Sequence, residues 1–280
     1  MKIKYGCPYW GSNHIKPVDF IQKTLDAGFQ GVELFLQPPD DLTTAFITTI
    51  EQTRIQNPDF FFILLQLTFP DKKESIDGHI SQMVHNLEHL ARLNPLFINS
   101  HTGRDFFSFD DNCRAIEAAM NFSVKNNVRI LHETHRGRFS FHAATLLQYL
   151  KRFPEMELVG DFSHFCTVSE SMLSDQQEIL HQIFPHVSHI HARIGFEQSP
   201  QVNDPSAPEW KEYLEQFLAW WKSVLILKKK AANPSFTITP EFGPEPYMPV
   251  TPFSKIPLSN QWNNNLFMLK MLNDRIGMDY

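Results

Sequence analysis

The sequence predicts an α/β chain closed into a single (β/α)8 TIM barrel, and three observations predict it. Short apolar runs rich in β-branched and aromatic residues alternate with longer segments of helical period. Eight such strand–helix pairs fit into the 280 residues, the number a closed parallel barrel needs. The fourth to seventh strands begin near 96, 128, 157 and 187, about one unit apart.

In chain order, strands are expected near 2–6, 31–36, 61–67, 96–101, 128–134, 157–162, 187–193 and 236–241. Helices are expected near 17–27, 40–56, 76–93, 109–126, 142–152, 174–184, 208–230 and 259–275. The third strand is apolar on both parities, as a strand covered on both faces must be. The third helix carries Ile80, Met83, Val84, Leu87 and Leu90 on one amphipathic stripe. The eighth strand starts late, so the seventh unit holds an insertion. Gly195 to Pro208 is polar with three prolines and reads as a long rim loop after strand seven, a candidate lid. Trp220 and Trp221 are expected to pack in the core, with a contact between subunits of a homo-oligomer as the alternative, and Lys228-Lys229-Lys230 reads as a solvated helix end. Nothing reads as a linker, so residues 1–280 are expected to form one domain.

A hydrophobic content of 42% supplies a substantial core, and 13% aromatic with 20% charged residues excludes wholesale disorder. Lys and Arg number 25 against 31 Asp and Glu, a net charge of −6, which disfavours nucleic acid as a partner. Cys7, Cys113 and Cys166 are far apart and odd in number, as in a reduced cytoplasmic protein. The N-terminus lacks a signal peptide's apolar centre. The longest mostly apolar run, Phe60 to Phe69, is too short for a bilayer, which needs about 20 helical residues. Neither GxGxxG nor GxxxxGK[ST] can be written, which removes the two commonest nucleotide loops.

Chemistry in a parallel barrel gathers at the C-terminal ends of strands. Here the fourth strand ends Asn99-Ser100-His101, the fifth His132-Glu133 and the sixth Gly160-Asp161, followed by Ser163-His164. The seventh ends His189-Ile190-His191-Ala192-Arg193 and the eighth Thr239-Pro240-Glu241. Closing the barrel would bring Glu133, Asp161, His191 and Glu241 to a common point. Three carboxylates and one imidazole suit a single divalent cation, Mn²⁺, Mg²⁺, Co²⁺ or Zn²⁺. By parity, Leu131 and Val159 fill the barrel beneath Glu133 and Asp161, and His189 lies a layer below His191. His132, on the opposite parity, is expected between sheet and helices. His101 and His164 are open between a pocket role and structural hydrogen bonding.

The run His132-Glu133-Thr134-His135-Arg136-Gly137-Arg138, with Asp161-Phe162-Ser163-His164, His189-Ile190-His191 and Glu241-Phe242-Gly243, resembles the xylose isomerase-like TIM barrels. These comprise sugar and sugar-phosphate isomerases and epimerases and the AP endonuclease branch. Gly28-Phe29-Gln30-Gly31-Val32-Glu33-Leu34 is similar to their second-strand signature. The resemblance implies that Glu133, Asp161, His191 and Glu241 bind one divalent metal, with Glu133 and Glu241 doubling as acid and base. It implies substrate contacts for His164 and Arg193, and His101-Thr102-Gly103 resembles the family's fourth-strand His-x-Gly. The third strand ends Leu65-Gln66-Leu67-Thr68 without a histidine, and 203–206 lacks an Asp-x-His, so the three-zinc site of the AP endonuclease branch is not expected.

The implied reaction is proton abstraction beside a carbonyl through a metal-stabilised enediolate. A phosphodiesterase of the AP endonuclease type, a lyase or dehydratase, and a non-catalytic ligand-binding barrel are the alternatives. Trp10, in Cys7-Pro8-Tyr9-Trp10-Gly11, offers an aromatic face to a sugar, and Arg136 and Arg138 are candidates for an anionic group on one.

Overall fold

The structure, a computed structural model, describes residues 1–69 and 74–277. Eight parallel strands close into a barrel in sequential order: β1 (Lys2–Pro8), β2 (Gly31–Leu34), β3 (Phe61–Leu67), β4 (Ile98–His101), β5 (Ile130–Glu133), β6 (Leu158–Gly160), β7 (Val187–Ala192) and β8 (Ser235–Pro240). β8 returns to β1 with Ile3 opposite Phe236 and Tyr5 opposite Ile238, so no edge is left unpaired.

Outside lie α1 (Pro17–Asp26), α2 (Asp41–Gln56), α3 (Ile76–Ala91), α4 (Phe109–Asn126), α5 (Ala143–Arg152), α6 (Phe162–Ser169), α7 (Gln177–Ile183), α8 (Lys211–Lys230) and α9 (Gln261–Arg275). Their caps are those the sequence supplies: Asp40, Ser75, Ser108 and Asn260 each accept from a backbone N–H in the first turn. The α3 stripe buries Met83, Leu87 and Leu90 as its period requires. Trp220 and Trp221 pack in the core. Lys228 is no solvated end: it is buried, and its Nζ donates to the Pro185 carbonyl at 2.8 Å. All three cysteines are free and buried. Among the described residues no helix is long and apolar enough to cross a membrane.

The sixth unit departs from expectation. A strand to 162 was anticipated, but β6 stops at Gly160 and α6 begins two residues later. Asp161 is the reason: its Oδ1 accepts from the Ser163 backbone N–H at 3.0 Å and Oγ–H at 2.5 Å, capping a helix at the strand's exit. The helix expected over 174–184 is shorter, and one 3₁₀ turn stands at each end of α7.

The barrel interior is an apolar plug of Phe61, Ile63, Phe97, Leu131 and Val159, which sets the floor of whatever lies above. The rim loop after β7 is tied down rather than hinged. Gln201 is buried and bonds Gly243 in both directions, through Nε2 to its carbonyl at 3.1 Å and Oε1 from its N–H at 2.7 Å. Asn203 receives Ser259 and Asn264 on its carbonyl and Trp210 on its side chain. The candidate lid thus bonds the segment after β8 through its polar groups.

Candidate active site

Above the plug, the strand ends surround a cavity of about 360 Å³. Glu133 leaves the end of β5. Asp161 follows β6, its backbone N–H and carbonyl bonded to the Thr134 hydroxyl at 2.8 and 2.9 Å. His191 lies in β7, and Glu241 follows β8, where Asn265 bonds both backbone groups of Phe242 and fixes the chain's exit. Each of these four offers one ligand atom, and all four atoms lie within 4.8 Å of one another.

His191 organises the cluster. Its Nε2–H donates to both oxygens of Glu33, at 3.0 and 3.1 Å. Its Nδ1 points the other way, 3.0 Å from Glu241 Oε2 and 3.6 Å from Glu133 Oε1. Neither His191 Nδ1 nor Glu241 Oε2 has a hydrogen-bond partner. Burial opposes a charge on His191, but Glu241, Glu33 and Glu133 outweigh it and hold its pKa well above the usual value. Burial would raise the Glu133 carboxyl, yet His101 and His191 pull it well below the usual range. Glu133 Oε2 also accepts from Asn99 Nδ2 at 2.6 Å and His101 Nε2 at 2.8 Å.

Arg193 is buried and clamps the other side. Its Nη2 donates to Asp161 Oδ2, lies 3.1 Å from His164 Nε2 and 3.5 Å from Glu241 Oε2. Burial raises the Asp161 carboxyl and the guanidinium opposes that rise. His164, expected against substrate, is fully buried behind Arg193, and burial pushes its pKa well down. The cavity wall includes Arg193, His101 and Trp10 but not His164 or Asp161. His189 lies below, its Nδ1 bonded to Thr237 Oγ1 at 2.7 Å and its ring on Phe97, a core histidine with a pKa near 3 through burial. His132 bonds Thr102 at 2.8 Å and packs on Phe139 outside the barrel.

Sequence reading missed three residues. Glu33 is a cavity-lining carboxylate whose only signal was the second-strand signature. Asn99 shares parity with His101, which was enough to place it inward. Tyr247, on the long segment after β8, gave no signal. Its ring covers the Arg193 guanidinium at 4.6 Å and meets Trp10 edge-on at 5.1 Å, and its hydroxyl donates to His135 Nε2 at 3.3 Å. His135 Nδ1 bonds the Arg136 carbonyl at 2.6 Å, so both its nitrogens are engaged. Arg136 stacks on the same Tyr247 ring, and Arg138 is buried against the Thr68 carbonyl. Neither lines the cavity. The Trp10 indole lies on Gly243, where a Cβ would come within 2.1 Å of it, so only glycine admits this aromatic wall.

No protein-family model and no curated protein matches the sequence. Solved structures do. A xylose isomerase-like TIM barrel protein from Mycobacterium smegmatis, in complex with magnesium, aligns with TM-score 0.61 at 10% identity over 98% of this chain and 97% of that one. The chain has the xylose isomerase-like TIM-barrel fold. Two further solved structures align over nearly their whole length. A probable 3-DHS dehydratase involved in petrobactin synthesis, from Bacillus anthracis, aligns with TM-score 0.65 at 16% identity over 96% and 98% of the two chains. A 3-keto-D-glucoside 4-epimerase from E. coli aligns with TM-score 0.59 at 12% identity over 98% and 100%.

Proposed function

We propose that this protein is a divalent-metal-dependent isomerase or epimerase of a small sugar or sugar phosphate. The observation that carries the reading is the facing pair of buried atoms His191 Nδ1 and Glu241 Oε2, 3.0 Å apart and each without a hydrogen bond, within a cluster of four potential ligands. Four carboxylates, Glu33, Glu133, Asp161 and Glu241, face one fixed cation, Arg193, and the imidazole of His191, whose Nδ1 would shed any proton as a metal binds. Buried charges of that kind demand a counter-cation. The donor set therefore fits one ion such as Mn²⁺, Mg²⁺, Co²⁺ or Zn²⁺, held by Glu133, Asp161, His191 and Glu241. Bound there, it would supply Lewis acidity to a carbonyl and its neighbouring hydroxyl.

The residues divide the remaining work. Glu241 lines the cavity and keeps 16% of its side chain exposed, so it is the better placed base for a proton on carbon. Glu133 Oε2, loaded by Asn99 and His101, is held as the anion and is the weaker base, so a proton returned from this side would have to reach it from His101. Arg193 holds Asp161 through Oδ2 and itself lines the cavity, and Tyr247 covers that guanidinium. His101 and Trp10 form walls for the substrate.

A dehydratase stands beside the epimerase among the fold's neighbours, and both reactions begin by removing a proton next to a carbonyl. The test separates them. Protein loaded with each of the four ions is incubated with ketoses in D₂O, and products are read by NMR. Deuterium at the carbon beside the carbonyl, with isomer or epimer formed, supports the proposal. An unsaturated product would make it a dehydratase, and no exchange with any ion would refute the reading.

A further inference from the structure

The mouth of the cavity is divided in two. From β4 to β8 the wall is ionic: Asn99, His101, Glu133, Arg193 and Glu241. From the first three units it is mostly apolar, with Glu33 and Asn13 the polar exceptions: Trp10, Phe35, Leu42, Leu65 and Leu67. Three of these are part-exposed to solvent, Trp10 at 36%, Phe35 at 38% and Leu42 at 38%. Phe69 extends the patch, edge-on to Phe35 at 6.1 Å. A polyol with a phosphate at its far end would bring hydroxyls and two negative charges against this wall. Among the described residues Arg193 is the one cation lining the cavity, and Asp161 and Glu241 already engage it.

We propose that the natural substrate is uncharged at the end remote from its carbonyl and carries an apolar group there, a deoxy or alkyl terminus, seated on Trp10, Phe35, Leu42, Leu65 and Leu67. The proposal rests on the reading of the ionic half as the reacting centre and adds the identity of the other half. The two halves belong to one cavity, so one molecule spans them: its hydroxycarbonyl end lies over β4 to β8 and its apolar end over β1 to β3. Apolar surface removed from water at the far end supplies affinity without touching the chemistry.

The test compares matched ketohexoses that differ only at C6: 6-deoxy, parent and 6-phosphate, each in the D-fructose, D-tagatose, D-psicose and D-sorbose series. Metal-loaded full-length protein is used. Turnover is read by NMR, and binding by quenching of tryptophan fluorescence against a Trp10→Phe reference. In the best series the 6-deoxy sugar should bind at least about fourfold more tightly than the parent, the worth of one buried methyl. The 6-phosphate should bind worst. Leu42→Lys, at a part-exposed position that tolerates a long side chain, should erase the deoxy preference and improve the 6-phosphate. Saturable, deoxy-preferring binding without turnover would uphold this proposal and defeat the isomerase reading. Turnover with the 6-phosphate preferred would do the reverse. Absence of binding by every sugar of the panel would overturn the proposal.

Discussion

His191 donates Nε2–H to both carboxylate oxygens of Glu33, at 3.0 and 3.1 Å, and so presents Nδ1 to Glu241 and Glu133. A carboxylate behind an imidazole sets its tautomer and raises its basicity as a ligand, an effect typically worth about 10–100-fold in metal affinity. Glu33→Gln keeps the shape but removes the charge. Isothermal titration with Mn²⁺ or Zn²⁺ should give a Kd weaker by about that factor, and ¹⁵N spectra of the imidazole should show the tautomer released. An unaltered Kd would show that Glu33 is a bystander.

Metal removal should soften the whole barrel, because the ligands come from four consecutive strand exits. Occupancy at about 100 times Kd contributes about 2.7 kcal/mol. For a chain of this size that corresponds to a melting shift of roughly 5 °C. Dialysis against chelator followed by calorimetry checks it, and elemental analysis of the reloaded protein should return one ion per chain. Three ions would instead bring back the AP endonuclease alternative.

The ring of strands was legible because each unit repeats one pattern, and the site because inward parity is a strict rule. Leu131 and Val159 do lie in the plug beneath Glu133 and Asp161. What stayed hidden depends on contacts without sequence period. Asp161 reads equally as a strand end and as the cap of α6, and only the Ser163 bonds decide. Tyr247 reaches the site from a segment with neither helical nor strand period. His164 follows Asp161 by three residues and looks like a pocket residue, but the first turn of α6 and Arg193 place it behind the wall. Lys228 looks solvated in a run of three lysines, and the Pro185 carbonyl that buries it is 43 residues away.

Glu241→Gln and Glu133→Gln should differ in kind. Glu241 lines the cavity with a part-exposed side chain, so its amide should lower kcat by about 10²–10⁴ through loss of the base. Glu133 receives Asn99 and His101, and its amide would set a donor against donors, so metal affinity should fall along with kcat. Turnover measured at saturating metal, beside the metal Kd of each variant, separates the two. Equal kcat for wild type and Glu241→Gln would remove Glu241 from the chemistry.

Acid should unfold this protein early, and a network away from the cavity shows why. Arg104 forks onto both oxygens of Glu74, at 2.7 and 2.9 Å, and Glu74 accepts from His79 Nδ1–H at 2.8 Å. His79 Nε2 in turn accepts the Gly103 N–H at 2.9 Å, so a proton there would break that bond. Burial lowers the His79 pKa below its ordinary 6.5. Burial would raise Glu74, but Arg104 and His79 overcome it and hold its pKa below the ordinary 4.5. In both cases the unfolded chain takes up a proton at higher pH than the native one. The stability these two groups contribute is thus full above about pH 6.5, falls first through His79, and falls further through Glu74 below about 4.5. Each such group contributes at most about 1.4 kcal/mol per pH unit. Urea unfolding from pH 7.5 to 4 should show that decline, and His79→Gln should flatten its upper part. Arg104→Met, which strands the Glu74 charge, should cost about 3–5 kcal/mol at pH 7 and less in acid. A variant whose loss of stability grew as the pH fell would contradict the assignment.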